Sequence, residues 1–231
     1  MLNYIEILGN NSHWYPRGKS WYPSITTILS CYPKGEGFSR WLANAGSYEN
    51  AEGIRDNAAK RGTRVHDTVE AMLRDPSLLL AYEDFTLEEW GMIEGFCNWY
   101  TDHKPVVDTE FIEKVLYSDT FKVAGKADLR CSVGGEDMVV DFKTSSAIHR
   151  SMNIQANMYA LMYTEMGMPT ETFAILRLGT RHKRKYEFAV QGKNDQFLAG
   201  FLACQSLWEQ ENNSIEPPFI KVPSTLSLNL L

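Results

Sequence analysis

The sequence contains no apolar run that approaches the roughly 20 residues a helix needs to cross a bilayer, so we expect no membrane association. Its first ten residues also lack a basic start followed by an apolar core, so we expect no secretory signal. These two absences favour a soluble protein of the cytoplasm.

Cysteine is scarce and scattered, with 4 in 231 residues and no C-x-x-C pair. This spacing excludes a zinc ribbon and a thioredoxin-like redox motif. We expect reduced, mostly buried thiols at the four positions, which are Cys31, Cys97, Cys131 and Cys204.

Positive charge is also in short supply, and the formal net charge is -6. A chain with this balance does not coat nucleic acid through bulk electrostatics, because phosphate neutralisation needs clustered lysine and arginine. One stretch does supply such a cluster and is a candidate contact for a phosphate backbone; a solvated hairpin tip is the alternative. Its basic residues are Arg177, Arg181, His182, Lys183, Arg184 and Lys185.

Hydrophobic periodicity predicts two helices, three consecutive strands, a helix, two strands and a final helix. This order is typical of an α/β protein with a central mixed β-sheet flanked by α-helices. We expect a single domain over residues 1–231, with a helical N-terminal part at 38–104 and a core at 105–211. The predicted helices are 51–74, 86–100, 151–166 and 194–211, and the predicted strands are 106–118, 121–133, 138–144, 172–178 and 185–190.

Two acidic positions and a lysine carry the most informative pattern. Asp141 and Lys143 are two apart on a predicted strand and should project to one face, with Phe142 on the other. Asp128 lies on the preceding strand and can sit beside Asp141. Carboxylates held about 4 Å apart repel by roughly 4 kcal/mol at an effective dielectric of 20, so such a pair needs a cation or a shared proton. Oxygen ligands favour Mg²⁺ or Mn²⁺; a surface hairpin with an ordinary Asp–Lys pair is the alternative.

A predicted helix carries His66 one turn after Gly62. The missing side chain at Gly62 would leave space beside the imidazole for an ion or a nucleic-acid strand. Imidazole as a ligand would favour Mn²⁺ over Mg²⁺, and Glu70, one turn further on, could orient the ring. The alternative is a structural histidine on a half-buried helix.

Gln155 and Tyr159 are four apart and share one face of the helix that follows the Asp–Lys strand. Both side chains can donate hydrogen bonds, and the tyrosine ring could stack on a base. The alternative is a helix that packs its tyrosine into the core.

Five short segments occur in an order that resembles the RecB-type branch of the PD-(D/E)XK nuclease superfamily. The first segment is most similar to phage recombination exonucleases and the mitochondrial genome-maintenance exonuclease. The segments are YPSITTIL at 22–29, GTRVH at 62–66, GKAD at 125–128, DFK at 141–143 and QANMY at 155–159.

The resemblance implies a restriction-endonuclease-like core, with the catalytic part at 105–211, and a metal-dependent DNA exonuclease that acts in recombination, repair or replication. It implies Mg²⁺ or Mn²⁺ held by His66, Asp128, Asp141 and the Phe142 carbonyl, with Lys143 as the catalytic lysine. Gln155 and Tyr159 would position the substrate. Glu113 is a further candidate ligand, with Glu110 as its rival on the opposite strand face.

The expected partner is DNA, at ends that are single-stranded or part of an unwinding duplex, with a single-strand-binding or annealing protein as a second candidate. The expected setting is the cytoplasm of a bacterial or phage-infected cell. The alternatives are a structure-specific or nicking endonuclease of the same superfamily, a non-catalytic DNA-end-binding module, and a hydrolase of small phosphoesters.

Two positions depart from the pattern of the superfamily. Ala127 stands in place of the proline of the superfamily's name. Relatives with an iron–sulfur cluster use one early cysteine and three late ones, whereas here Cys31 is followed, after the 155–159 helix, by Cys204 alone. We therefore expect no iron–sulfur cluster.

Overall fold

The structure is a computed structural model that describes residues 4–8, 14–179, 181–212, 217 and 219–223. The predicted domain limits at residues 1 and 231 lie outside these described residues. Within them, no helix combines the length and the apolar character needed to span a bilayer.

Five strands form a central sheet in the order in which they occur along the chain. All neighbours are antiparallel except the third and fourth strands, which are parallel and therefore need a crossover connection. A helix supplies that crossover. The strands are β4 (Val106–Ser118), β5 (Val123–Val133), β6 (Glu136–Lys143), β7 (Thr172–Leu178) and β8 (Tyr186–Gly192), and the crossover helix is α5 (Arg150–Glu165).

Helices cover both faces of this sheet. On one face α5 and α6 (Asp195–Glu211) enclose a core that includes Tyr163, Phe173 and Phe201. On the other face α3 (Tyr48–Arg74) and α4 (Leu87–His103) enclose a second core around Phe96 and Trp99. The predicted α/β class, a central mixed sheet flanked by helices, is confirmed.

Local sequence signals account for where the two long helices α3 and α4 begin. The side chain of Ser47 accepts a hydrogen bond from the Asn50 backbone and begins α3. Thr86 and Glu89 form a capping box at the start of α4. The predicted helices and strands do not include the helix α2 (Glu36–Asn44), nor the antiparallel pairing of β1 (Tyr4–Leu8) with β9 (Phe219–Pro223).

The first resembling segment, residues 22–29, anchors the N-terminal part of the chain to the sheet. It begins within the second strand of a hairpin formed by β2 (Trp14–Arg17) and β3 (Ser20–Pro23), and it contains the short helix α1 (Ile25–Ile28). Asp119, in the β4–β5 turn, accepts hydrogen bonds from Arg17 at 2.8 Å and from the Tyr22 hydroxyl at 2.9 Å. Ile25 and Ile28 are fully buried in the core under α5 and α6.

Two glycines one turn apart on α4 should respond in opposite ways to alanine. A Cβ at Gly91 would meet no atom within 4 Å, whereas one at Gly95 would collide with the backbone carbonyl of Lys185. Gly91→Ala should raise the free energy of unfolding by up to about 1 kcal/mol, because alanine lowers the entropic cost of the helix. Gly95→Ala should lower it by about 1–3 kcal/mol.

Urea unfolding of the two variants measures this difference. Equal effects of the two substitutions would contradict the close approach of α4 to the residues that precede β8.

Candidate active site

The strands β5 and β6 part at the level of two predicted site residues. Their pairing ends at Leu129 and Val140, and beyond that point the Phe142 N–H donates a hydrogen bond to Asp128 Oδ2 at 2.6 Å. Ala127 and Leu129 are two apart and would share a face in a regular strand, yet they pack in opposite cores. The strand therefore rotates at Asp128, and the carboxylate of that residue enters the fork between the two strands.

The neighbouring strand rotates at the same level. Ile112 and Leu116 are four residues apart in β4 and would share a face in a regular strand, yet they also pack in opposite cores. Between them Glu113 adopts φ 52°, in the left-handed region that costs a residue with a Cβ about 1–2 kcal/mol. The register of β4 and β5 sets Glu113 opposite Asp128, because Ile112 pairs with Leu129.

His66 on α3 completes a compact group with these two acids. Its Nδ1 lies 3.5 Å from Asp128 Oδ1, and its ring meets the Phe142 ring edge-on at 5.9 Å between centroids. One ligand atom from each of His66, Glu113 and Asp128 lies within 4.8 Å of the other two. An imidazole nitrogen and two carboxylate oxygens are a donor set that suits Mn²⁺ and, less strongly, Mg²⁺. Of the two rivals, Glu113 is thus the one at the site, while Glu110 is paired with Lys114 at 2.8 Å.

Asp141 and Lys143 project together, as their spacing predicts, and form an ion pair of 2.5 Å. Asp141 is 1% exposed, and 19% of the Lys143 side chain is exposed. Burial raises the pKa of Asp141 to about 6, against the opposing effect of Lys143 and with a further contribution from the charge of Asp128. In Asp128 the effect of burial is outweighed by His66, Lys143 and the Phe142 N–H, so the pKa of that carboxyl lies below its usual value. The two carboxyls thus differ in how readily they accept a proton.

Tyr159 is 3% exposed, so the expectation that its ring stacks on a base is wrong. The ring packs against Gly125, where a Cβ would come within 2.7 Å of Tyr159 Cε1. Gln155 does share its face and donates a hydrogen bond to the Tyr159 hydroxyl at 3.1 Å. Burial and then the charge of Asp141 raise the pKa of Tyr159 well above its ordinary value. The Tyr159 hydroxyl is therefore held by Gln155, while the ring is enclosed in the core.

Two predictions about the surroundings of His66 meet competing contacts in the fold. A Cβ at Gly62 would lie 3.1 Å from Thr144 Oγ1, so the hydroxyl of the residue that follows β6 occupies part of the space that the missing side chain leaves. Glu70 pairs with Arg74 at 2.8 Å. The acid that contacts the His66 ring is Asp128.

The basic stretch at 177–185 is less positive in the fold than in the sequence. Three of its cations form ion pairs with acids from this hairpin or from α4: Arg177 with Glu187, Arg184 with Asp102, and Lys185 with Glu94. Arg181 and Lys183 are exposed and have no ion pair among the residues that the structure describes. An open groove of about 570 Å³ beside them is lined by His103, Arg177, Arg181, His182, Tyr186, Glu187 and Phe188.

The strained backbone of Glu113 generates a prediction about stability. Glu113→Gly should be as stable as the wild type or up to about 1 kcal/mol more stable, because glycine adopts positive φ without a steric penalty and a carboxylate beside Asp128 is lost. Glu110→Gly removes a different acid of the same strand without relieving such strain, and should lower stability by about 0.5–1 kcal/mol. Chemical denaturation in a chelating buffer compares the two variants, and a larger loss for Glu113→Gly than for Glu110→Gly would contradict the strained backbone.

No protein-family model and no curated protein matches the chain. Among solved structures, the chain is similar to an alkaline exonuclease (LHK-Exo) from Laribacter hongkongensis, with 10% sequence identity over 81% of this chain and 86% of that chain, and a TM-score of 0.38. For LHK-Exo in complex with dAMP the coverage is again 81% and 86%, with 11% identity and a TM-score of 0.39.

Proposed function

We propose that this chain is a divalent-metal-dependent deoxyribonuclease that hydrolyses phosphodiester bonds and acts from DNA ends as an exonuclease. The observation that carries the proposal is the convergence of His66, Glu113 and Asp128 on one point, beside the ion pair of Asp141 and Lys143. A cluster of acids with a neighbouring lysine suits a reaction in which negative charge builds up on a phosphate.

Mn²⁺ or Mg²⁺ would be held by His66, Glu113 and Asp128, and Asp141 and the Phe142 carbonyl are the further ligands that the resemblance implies. When bound, such an ion supplies Lewis acidity to a phosphate oxygen and to a water molecule. The imidazole in the donor set favours Mn²⁺ as the more effective ion.

Lys143 would stabilise the charge that develops on the scissile phosphate. Its ammonium is held by Asp141 at 2.5 Å, which fixes its position before the substrate arrives. The Gln155 side chain and the Tyr159 hydroxyl form a hydrogen-bonded pair on α5 that supports this side of the site.

The DNA backbone would approach the site past the basic stretch. Arg181 and Lys183 are the exposed cations there, and Arg177 and Arg184 would contribute through guanidinium groups already paired with Glu187 and Asp102. Arg177 is the register partner of Lys143, so the stretch begins one strand away from the candidate lysine.

A non-catalytic DNA-end-binding module of this fold remains the alternative. Such a module has no need for Asp128, Asp141 and Lys143 together, and all three are present at the fork of β5 and β6. The division into a helical part at 38–104 and a catalytic part at 105–211 stays a prediction.

The direct test uses purified protein with end-labelled linear DNA and closed circular DNA, each single- and double-stranded. We expect linear DNA to shorten in Mn²⁺ and more slowly in Mg²⁺, circles to survive, and a chelator to stop the reaction. Cleavage of circles would favour the endonuclease alternative, and degradation that continues in excess chelator would refute the metal dependence.

Asp141→Asn and Lys143→Ala should each lower the cleavage rate by about a thousandfold or more, because each removes or misplaces the charge that stabilises the phosphate. Binding to DNA in Ca²⁺ should change little. The matched control is Asp137→Asn. Asp137 lies on the same strand as Asp141 but outside the candidate site, and the substitution breaks its ion pair of 2.8 Å with Arg130 of β5. Circular dichroism verifies that each variant is folded, and a folded Lys143→Ala variant with wild-type activity would exclude the proposed role of Lys143.

A further inference from the structure

Lys126 is a cation of the site to which the sequence pattern gives no role. It lies in β5 two residues before Asp128, and its ammonium forms an ion pair with Glu113. Half of the Lys126 side chain is exposed, whereas Glu113 is 10% exposed. The lysine therefore reaches inward from the solvent-facing rim and covers one of the candidate metal ligands.

Each carboxylate of the site faces one basic side chain. Asp128 has His66 at 3.5 Å, Asp141 has Lys143 at 2.5 Å, and Glu113 has Lys126. The three basic side chains differ in how easily they can move away from their carboxylates. His66 is itself a candidate ligand and Lys143 is largely enclosed, while Lys126 is a flexible side chain with half of its surface in solvent.

We propose that Lys126 competes with the divalent ion for the Glu113 carboxylate, neutralising Glu113 in the metal-free protein and becoming free to meet the DNA backbone once the ion is bound. This inference rests on the proposed function. The ion pairs of exposed lysines are weak, so Lys126 can be displaced without disturbing the fold. Because coupling between two ligands of one carboxylate is reciprocal, removal of Lys126 must strengthen the binding of the ion.

After this exchange the positive charge of Lys126 lies at the solvent-facing edge of the site, where it suits the negatively charged DNA backbone. Displaced from Glu113, Lys126 stays within reach of the site on its solvent side, and Lys143 lies next to Asp141 on β6. Two ammonium groups would then flank the scissile phosphate, one fixed and one mobile. A lysine suits the mobile position because its long stem can turn towards a phosphate oxygen.

The test is the affinity for Mn²⁺ without DNA, measured by the loss of the electron paramagnetic resonance signal of free Mn²⁺. Lys126→Met should bind Mn²⁺ about fivefold more tightly, because the ion no longer has to displace an ammonium from Glu113, and two unit charges about 4 Å apart in a solvated setting attract one another by an amount that corresponds to about fivefold. Lys114→Met is the matched control, since Lys114 follows Glu113 directly in β4 and its partner Glu110 lies outside the site. Equal or weaker Mn²⁺ binding by Lys126→Met would overturn the competition.

A second measurement follows the lysine itself. In side-chain NMR of the ¹³C,¹⁵N-lysine protein, Mg²⁺ should shift the signal of Lys126 with the midpoint of metal binding and leave that of Lys114 in place. In Ca²⁺, Lys126→Met should bind DNA more weakly than the wild type. A Lys126 signal that does not respond to Mg²⁺ would refute the exchange.

Failure of this inference differs from failure of the proposed function. A wild-type protein that binds Mn²⁺ and degrades DNA, while Lys126→Met binds Mn²⁺ no better, contradicts only the role of Lys126. A wild-type protein that binds no Mn²⁺ contradicts the metal centre and the role of Lys126 together.

Discussion

Three carboxylates, Glu113, Asp128 and Asp141, converge where two central strands part, and the rest of the site follows from the need to balance their charge. Carboxylates gathered in a largely buried position repel one another strongly. In the structure each of them is paired with one basic side chain, Glu113 with Lys126, Asp128 with His66 and Asp141 with Lys143. These pairs offset part of the repulsion, and a divalent ion would meet two carboxylate oxygens and an imidazole nitrogen that already face one another.

The backbone contributes as much to this arrangement as the side chains. Strands β4 and β5 both rotate at one level, and the rotation directs Glu113 and Asp128 between the two cores of the protein. Glu113 adopts positive φ as part of this geometry. A residue held in a strained conformation at a cluster of acids is typical of a site where stability has been exchanged for function.

Packing around the site is close on both faces of the sheet. Tyr159 lies against Gly125 on one face, and helix α3 approaches Thr144 at Gly62 on the other. In both places the glycine allows a close contact within the protein. The solvent-exposed edge of the site is marked by Lys126, half of whose side chain is exposed, and under the proposed function DNA would approach from this edge.

Local patterns in the sequence account for the α/β class, the order of the five sheet strands and the long helices, the capping box of α4 and the shared face of Asp141 and Lys143, because these depend on periodicity and on neighbours a few residues apart. The other features depend on contacts between residues that are distant in sequence. Glu113 joins the site through a rotation of β4 that strand periodicity does not encode, and Tyr159 is buried by a contact with Gly125. Much of the positive charge of the basic stretch is neutralised by ion pairs with Asp102 and Glu94. These acids are distant in sequence and become adjacent only after α4 packs on the sheet.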